Sequence, residues 1–253
     1  MDVKDLERMV ENDRQQQGMT ADNPIGGRGY GLSAAFPALM RKVYIWMTMA
    51  LVITGICAYG VAASPNLLRL FYSNSALMWG MVIAELALVF FVTARIDRLS
   101  LQTATLLFIL YSALNGVMLS SIFIVYTMTS ITQVFFITAA TFGAMTVYGT
   151  VTKTDLSRWG NILFMALIGM LIALVVNMFL KSAMMDYVLS FIGVLLFTGL
   201  TAYDTQKIKE GMLMQPDMSE ASQKWALMGA LTLYLDFINL FLYLLRFLGD
   251  RRN

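Results

Sequence analysis

The sequence predicts an all-α integral membrane protein that folds as a bundle of seven transmembrane helices. Hydrophobic residues make up 58% of the 253-residue chain and charged residues 13%, against about a quarter charged in soluble domains. Long apolar runs recur along the chain, and a transmembrane helix needs about 20 predominantly apolar residues. Together these observations exclude an ordinary soluble domain.

Seven apolar runs reach the length of a membrane span. Residues 99–152 carry no charge at all, and the polar turn from Thr127 to Thr132 divides this stretch, which is too long for one crossing. Asp204 lies near the end of the sixth run. The predicted spans are 43–63, 76–94, 103–126, 133–151, 161–180, 187–206 and 225–248.

The first 40 residues differ from the rest of the chain because they are polar and mixed in charge. No apolar core precedes Val43, so no secretory signal is expected there, and the first span is the expected insertion signal. We interpret residues 1–40 as a cytoplasmic tail and residues 41–253 as the transmembrane domain.

Basic residues near span ends favour the cytoplasmic side of a membrane. With the N-terminus in the cytoplasm, 13 basic residues lie on that side and 5 on the other, which predicts this orientation in the inner membrane. Three of the five, Arg246, Arg251 and Arg252, lie at the C-terminus. Either a seventh crossing places that end outside against the rule, or the last helix is re-entrant.

Composition also limits the chemistry. The net charge of +2 is too small to indicate a nucleic-acid partner. The chain has no histidine and a single cysteine, Cys57, so it lacks the commonest general base and cannot form an internal disulfide. We therefore predict no cofactor and no enzymatic activity.

Three acidic residues lie inside the predicted spans: Glu85, Asp204 and Asp236. Charge in the hydrocarbon core is costly, so an ionisable residue there is a functional hypothesis by default. No lysine or arginine lies at matching depth. These acids must therefore take a proton, share one, or hold a cation.

Polar or small residues recur along one face of the seventh span, at alternating steps of three and four residues. They are Gly229, Thr232, Asp236, Asn239, Tyr243 and Arg246. The other faces are mostly Leu, Phe and Ile, a pattern typical of a helix in the middle of a bundle. The stripe either lines an ion pathway through Thr232, Asp236 and Asn239 or hydrogen-bonds neighbouring helices.

Asp204 has two interpretations. It is an interfacial acid beside Lys207, or it pairs with Asp236 because the sixth and seventh spans follow each other along the chain. Two adjacent carboxylates cannot both ionise cheaply, so they would share a proton and titrate as a unit. Such a pair would be a pH-sensitive latch.

The segment from Ala230 to Phe241, continuing to Phe247, resembles the signature of the Bax inhibitor-1 family. This family includes bacterial calcium-leak proteins and protease-modulating YccA-type proteins. Residues 203–209 and 153–157 also agree with it, and the resemblance extends from Met40 to Gly249.

The resemblance implies a seven-helix bundle with the last helix at its centre, conducting calcium in a pH-dependent way. Asp204 and Asp236 match the aspartate pair that senses pH in the family. Arg95, with Arg98 as the alternative, matches an arginine that approaches this pair in one state. Glu85 matches the family's second-helix glutamate.

The leading functional hypothesis is a pH-sensitive calcium leak channel, with lipid and calcium ions as its partners. Calcium prefers oxygen ligands, which Asp204 and Asp236 could supply together with Asn239 and backbone carbonyls. The alternative is a regulator that binds a membrane protease or a stress-response partner through the polar tail. An intramembrane aspartyl protease is disfavoured because Leu233-Tyr234-Leu235, rather than Gly-x-Gly, precedes Asp236.

Overall fold

The computed structural model describes residues 35–252, whose regular structure is helical apart from one isolated bridge between Tyr126 and Arg251. The helices are α1 (Phe36–Ala62), α2 (Pro65–Tyr72), α3 (Ser75–Arg95), α4 (Leu101–Leu119), α5 (Ile122–Val125), α6 (Met128–Val151), α7 (Ser157–Leu180), α8 (Ala183–Leu213) and α9 (Glu220–Leu248). A 3-10 turn, Ile96–Arg98, follows α3.

Seven helical segments of the described chain are long and apolar enough to cross a membrane. They are α1, α3 with its 3-10 turn, α4 with α5, α6, α7, α8 and α9. The predicted all-α fold with seven spans is therefore confirmed. The short helix α2, which follows Ser64 in the first connection, was not predicted.

The helices extend beyond the predicted spans. Helix α1 begins at Phe36 rather than at residue 43, so the last residues assigned to the tail belong to the first helix; residues 1–34 lie outside the described part of the chain. Helix α8 continues from Asp204 to Leu213. About 20 apolar residues span only the hydrocarbon core, whereas helical hydrogen bonding continues into the aqueous interface.

The third span ends differently from the prediction, because helix α4 stops at Leu119. The hydroxyl of Tyr72 donates to the backbone oxygen of Met118, and the hydroxyl of Ser120 donates to that of Val117. These bonds occupy carbonyls in the last turn. The predicted turn from Thr127 to Thr132 is also wrong in part, because Thr127 caps α6 and the helix begins one residue later.

Helix α9 is the most buried of the seven spans. In its most apolar 18-residue window, 67% of the residues are buried, against 11–28% in the other spans. It packs against α1, α4, α6 and α8. This burial supports the central position that the resemblance implies for the last helix.

Two glycines mark places where helices approach closely. A Cβ atom on Gly116 would clash with the backbone oxygen of Thr54, so α4 lies directly against α1. A Cβ atom on Gly149 would clash with the backbone oxygen of Ala202, which brings α6 onto α8. Small residues at helix contacts permit such approach in lipid. Gly143, by contrast, faces open space.

The residues after α9 form a C-terminal strap, residues 249–252, that binds the connection between α5 and α6. Asp250 accepts a hydrogen bond from the Thr127 amide (3.2 Å) and donates its own amide to the Ser130 hydroxyl (2.9 Å). The Arg252 amide donates to Val125 (2.8 Å). Helix α9 is continuous over its 29 residues, and the strap lies at the same end of the bundle as this connection.

Candidate functional site

The polar stripe of α9 borders a cavity of about 300 Å³. Its polar side chains there are those of Thr232, Asp236, Asn239 and Tyr243. The remaining wall is apolar and comes from α7, α8 and α9: Leu167, Met170, Leu171, Phe197 and Leu235. Asp236 is only 5% exposed, so its carboxyl group meets the protein and this cavity rather than bulk solvent.

Asp204 and Asp236 lie together. Their carboxyl groups, one on α8 and one on α9, are within hydrogen-bonding reach of each other. A hydrogen bond between two carboxyl groups requires a proton on one of them. One oxygen of Asp236, Oδ2, is buried without a hydrogen-bond donor. The site can therefore take up or release a proton, or accept a positive charge at this oxygen.

Thr232 and Asn239 contribute differently from the aspartates. The Thr232 hydroxyl donates to the Met228 carbonyl (3.1 Å), and the Asn239 amide donates to the Leu235 carbonyl (2.8 Å), both within α9. The oxygen atoms of both side chains are thus left as acceptors beside the cavity. Among the described residues, neither side chain is hydrogen-bonded to a neighbouring helix.

Within residues 35–252 no three His, Cys, Asp or Glu side chains form a group that could hold a metal ion. A divalent cation at this site would therefore rely on two carboxyl groups and neutral oxygen atoms. Such sparse coordination fits a cation in passage better than a tightly held one.

Asp204 is positioned by contacts that its neighbours on α8 make with the α6–α7 connection. Gln206 accepts from the Leu156 amide (2.8 Å) and donates to the Thr154 carbonyl (2.9 Å). The Lys209 ammonium donates to the Thr150 carbonyl at the end of α6 (2.6 Å). These bonds fix the turn of α8 on which Asp204 lies.

The same connection carries an exposed acid, Asp155. The amide of Ser157 donates to its carboxylate (2.8 Å), and this bond, together with the Ser157 hydroxyl and the charge of Arg158, holds the pKa of Asp155 below its ordinary value. The charged form of Asp155 thus helps to hold the first turn of α7.

Arg95 does not meet the aspartate pair in this arrangement. It is exposed at the end of α3, and its guanidinium forms no hydrogen bond or ion pair with the described residues. The cation whose charge acts on Asp204 is Lys207, one helical turn further along α8. Its ammonium lies 5.9 Å from the ring centre of Tyr203.

Glu85 lies in a second polar cluster, apart from the aspartates. One of its oxygens, Oε1, is buried without a partner, as is Oδ1 of Asn115. The carboxyl group of Glu85 interacts electrostatically with the hydroxyls of Tyr111 and Tyr234, and Asn115 is within hydrogen-bonding reach of Tyr111. Glu85 therefore lies near Tyr111 of α4 and Tyr234 of α9.

Sequence reasoning missed the core of this second cluster. The Tyr234 hydroxyl lies 2.7 Å from the Thr54 hydroxyl, which also donates to the Ser112 carbonyl (2.9 Å). Tyr234 is fully buried. A tyrosine in an apolar run resembles a packing residue, and only the pairing of α1, α4 and α9 reveals its polar contact.

Comparison with known proteins agrees with this architecture. The family model described as "Inhibitor of apoptosis-promoting Bax1" matches residues 37–253. The inner membrane protein YbhL of Escherichia coli is 51% identical over 221 residues, covering 87% of this chain and 94% of YbhL. A protein of Borreliella burgdorferi is 46% identical over 214 residues (85% and 92%). Protein RP147 of Rickettsia prowazekii is 44% identical over 216 residues (85% and 90%). The chain is thus a multi-pass inner-membrane protein, and it belongs to the Bax inhibitor-1 family.

Proposed function

We propose that this protein is a pH-sensitive calcium leak channel of the bacterial inner membrane, gated by Asp204 and Asp236, with its N-terminus in the cytoplasm. The observation that carries the proposal is the contact between these carboxyl groups on adjacent helices, beside a cavity bordered by Thr232 and Asn239. Family membership supports the same conclusion.

The switch depends on how many protons the pair holds. With one proton, the two carboxyl groups are joined by a hydrogen bond, which ties α8 to α9. Without it, two negative charges face each other in a poorly solvated place, which is unfavourable. They must then separate or be neutralised by a cation. A calcium ion supplies two positive charges and accepts oxygen ligands, so loss of the proton opens the pair and creates a calcium site.

Calcium flux into proteoliposomes that contain the purified protein, measured across pH, tests the proposal. The variant Asp236→Asn keeps the size of the side chain but cannot ionise, so we expect a folded protein whose flux no longer follows the wild-type pH profile. Glu210→Gln is the matched control, since Glu210 is an exposed acid on the same helix as Asp204. It should keep the wild-type profile.

Two outcomes would contradict the proposal. Unchanged calcium flux in Asp236→Asn at every pH would remove Asp236 from the mechanism. If the wild-type protein conducts no calcium at any pH while its helices are intact by circular dichroism, the leak is absent. A regulator that binds a membrane protease would then be the better hypothesis.

A further inference from the structure

A second cavity, of about 310 Å³, lies on a different side of α9 from the aspartate pair. Helix α9 forms its floor, α1 and α6 form its walls, and the residues near α5 close its end. Its lining residues from α1 are Leu51, Thr54, Gly55 and Ala58, and those from α6 are Met128, Ile131, Thr132, Phe135 and Phe136. We refer to it as the α1–α6 cavity.

The wall of the α1–α6 cavity is apolar. Its two hydroxyl groups are bonded within the protein, since Thr54 donates to Ser112 and Thr132 donates to Met128. On the α6 side, Phe136 is 66% exposed and Met128 is 51% exposed. Because α6 is a membrane span, these surfaces face acyl chains. The cavity is thus an apolar recess that is open to the bilayer.

The recess fits the depth of one lipid leaflet. Its α6 wall extends from Met128, the first residue of the helix, to Phe136, which at about 1.5 Å per residue is about 12 Å. One leaflet contributes about half of the 30 Å hydrocarbon core. An acyl chain that enters at the end of the bundle where the strap lies would follow the recess over most of the depth of its leaflet.

Positive charge lies at the mouth of the recess. The Arg252 guanidinium donates from Nη1 to the carbonyl of Phe123 (3.2 Å), and Phe123 lines the cavity. Arg251 and Arg252 are both exposed, and neither forms an ion pair with the part of the chain that the structure describes. The nearest acid in sequence, Asp250, is exposed and bonds the strap through its backbone.

The strap holds these arginines in place through backbone hydrogen bonds to the α5–α6 connection. With the N-terminus in the cytoplasm, Arg251 and Arg252 lie on the outer side of the membrane, where the rule for basic residues does not favour them. An exposed arginine at a membrane surface attracts anionic lipid headgroups, and it binds phosphate through several N–H donors.

We propose that the α1–α6 cavity and the strap form a binding site for an anionic phospholipid. One acyl chain occupies the recess between α1 and α6, and the headgroup phosphate binds Arg251 and Arg252. The bound lipid fills a gap between two spans that both pack on α9. This site is independent of the aspartate pair and of the proposed calcium leak.

Retention of lipid by the full-length protein in detergent, measured by native mass spectrometry with added phosphatidylglycerol or phosphatidylcholine, tests the site. The wild-type protein should retain one phosphatidylglycerol in preference to phosphatidylcholine. Replacing both arginines, as Arg251→Gln with Arg252→Gln, should weaken phosphatidylglycerol binding by roughly 5-fold per arginine, so about 25-fold in total. Arg246→Gln is the matched control, since Arg246 lies over the ring of Tyr243 instead. It should leave binding unchanged.

A second pair of variants tests the recess itself. A Cβ atom on Gly55 meets no atom within 4 Å, and the same holds for Gly60 on the same helix, but only Gly55 lines the cavity. Gly55→Leu should place a side chain where the acyl chain lies and abolish retention of both lipids. Gly60→Leu should keep wild-type retention.

The proposal fails if the wild-type protein retains the two lipids equally and the arginine variant does not differ from it, because the lipid would then be annular only. It also fails if Gly55→Leu and Gly60→Leu retain lipid equally well. Because the readout is lipid mass and not calcium flux, either failure leaves the proposed leak untouched, and the absence of a leak would leave this site untouched.

Discussion

Helix α9 carries two polar sites on opposite faces, and their chemistry differs. Asp236 and Tyr234 are two residues apart, which places them about 200° apart around a helix. Asp236 meets the carboxyl group of Asp204 on α8. Tyr234 meets the Thr54 hydroxyl on α1 and the ring of Tyr111 on α4. One face therefore joins two acids, whereas the other joins neutral hydroxyls near the single acid Glu85.

The two faces of α9 differ in whether their bonds to neighbouring helices depend on pH. A hydrogen bond between neutral hydroxyls is intact across the physiological pH range, because phenols and threonine do not titrate there. A bond between two carboxyl groups exists only while the pair holds a proton. We infer that α9 is fixed to α1 and α4 and is able to separate from α8.

The largest effect should come from the acid pair, studied by a double-mutant cycle on Asp204→Asn and Asp236→Asn. Because the two groups titrate as a unit, either single variant should remove the pH dependence of calcium flux, and the double variant should add little. We expect a coupling of about 0.5–3 kcal/mol, the range for residues in direct contact. Additive effects on the pH profile would mean that the acids act separately and that there is no latch.

Arg95→Gln should have the next largest effect, and this effect should be confined to the titration of Asp204 and Asp236. In the state that the family resemblance implies, where Arg95 approaches the pair, its positive charge favours the deprotonated form. Its removal should therefore move the midpoint of the flux profile to higher pH, by up to about one unit. Flux itself should persist. Arg98→Gln is the comparison, since Arg98 is the other candidate for this role. An unchanged midpoint in both variants would leave Lys207 as the cation that acts on the pair.

Glu85→Gln should leave the midpoint of the pH profile unchanged, because its neighbours Tyr111 and Tyr234 are neutral. Its negative charge should instead attract cations to the pathway, so the variant should lower calcium flux by up to about tenfold at low ionic strength. The difference from the wild type should shrink as salt is added. A shifted midpoint would show that the two faces of α9 titrate together.

The sequence alone predicted the spans and the face of α9 that bears Asp236. It did not predict the contacts of the opposite face, which bears Tyr234. Apolar length identified seven spans, and the three- and four-residue spacing identified the side of α9 that bears Asp236. The sequential order of the last two spans placed Asp204 near it. These inferences hold because helical periodicity and chain connectivity are local properties.

What could not be predicted depends on contacts between distant segments. Thr54 and Tyr234 are 180 positions apart, and nothing in either segment marks the other as its partner. The strap likewise depends on backbone bonds between residues 249–252 and the α5–α6 connection. The approach of Arg95 to the pair in one state stays a prediction, since a long flexible side chain at a helix end is directed by its surroundings.

The smallest effect should come from Tyr234→Phe, on the face of α9 that bonds neutral hydroxyls. The change removes the bond to the Thr54 hydroxyl but leaves Thr54 its acceptor at the Ser112 carbonyl, so no buried donor is left unpaired. The ring contacts with Phe108 and Tyr111, at 5.8 and 5.9 Å between ring centres, persist. We expect a loss of about 0.5–1.5 kcal/mol of stability, seen as a lower melting temperature in detergent, and a pH profile of calcium flux identical to the wild type. Thr54→Val removes the same bond from the other side but leaves the buried Tyr234 hydroxyl without its partner, so we expect a larger loss of stability, about 1–3 kcal/mol, with the same wild-type pH profile. If either variant shifts the flux midpoint as Asp236→Asn does, the hydroxyl face is part of the switch, and α9 would have to move against α1 and α4 as well as against α8.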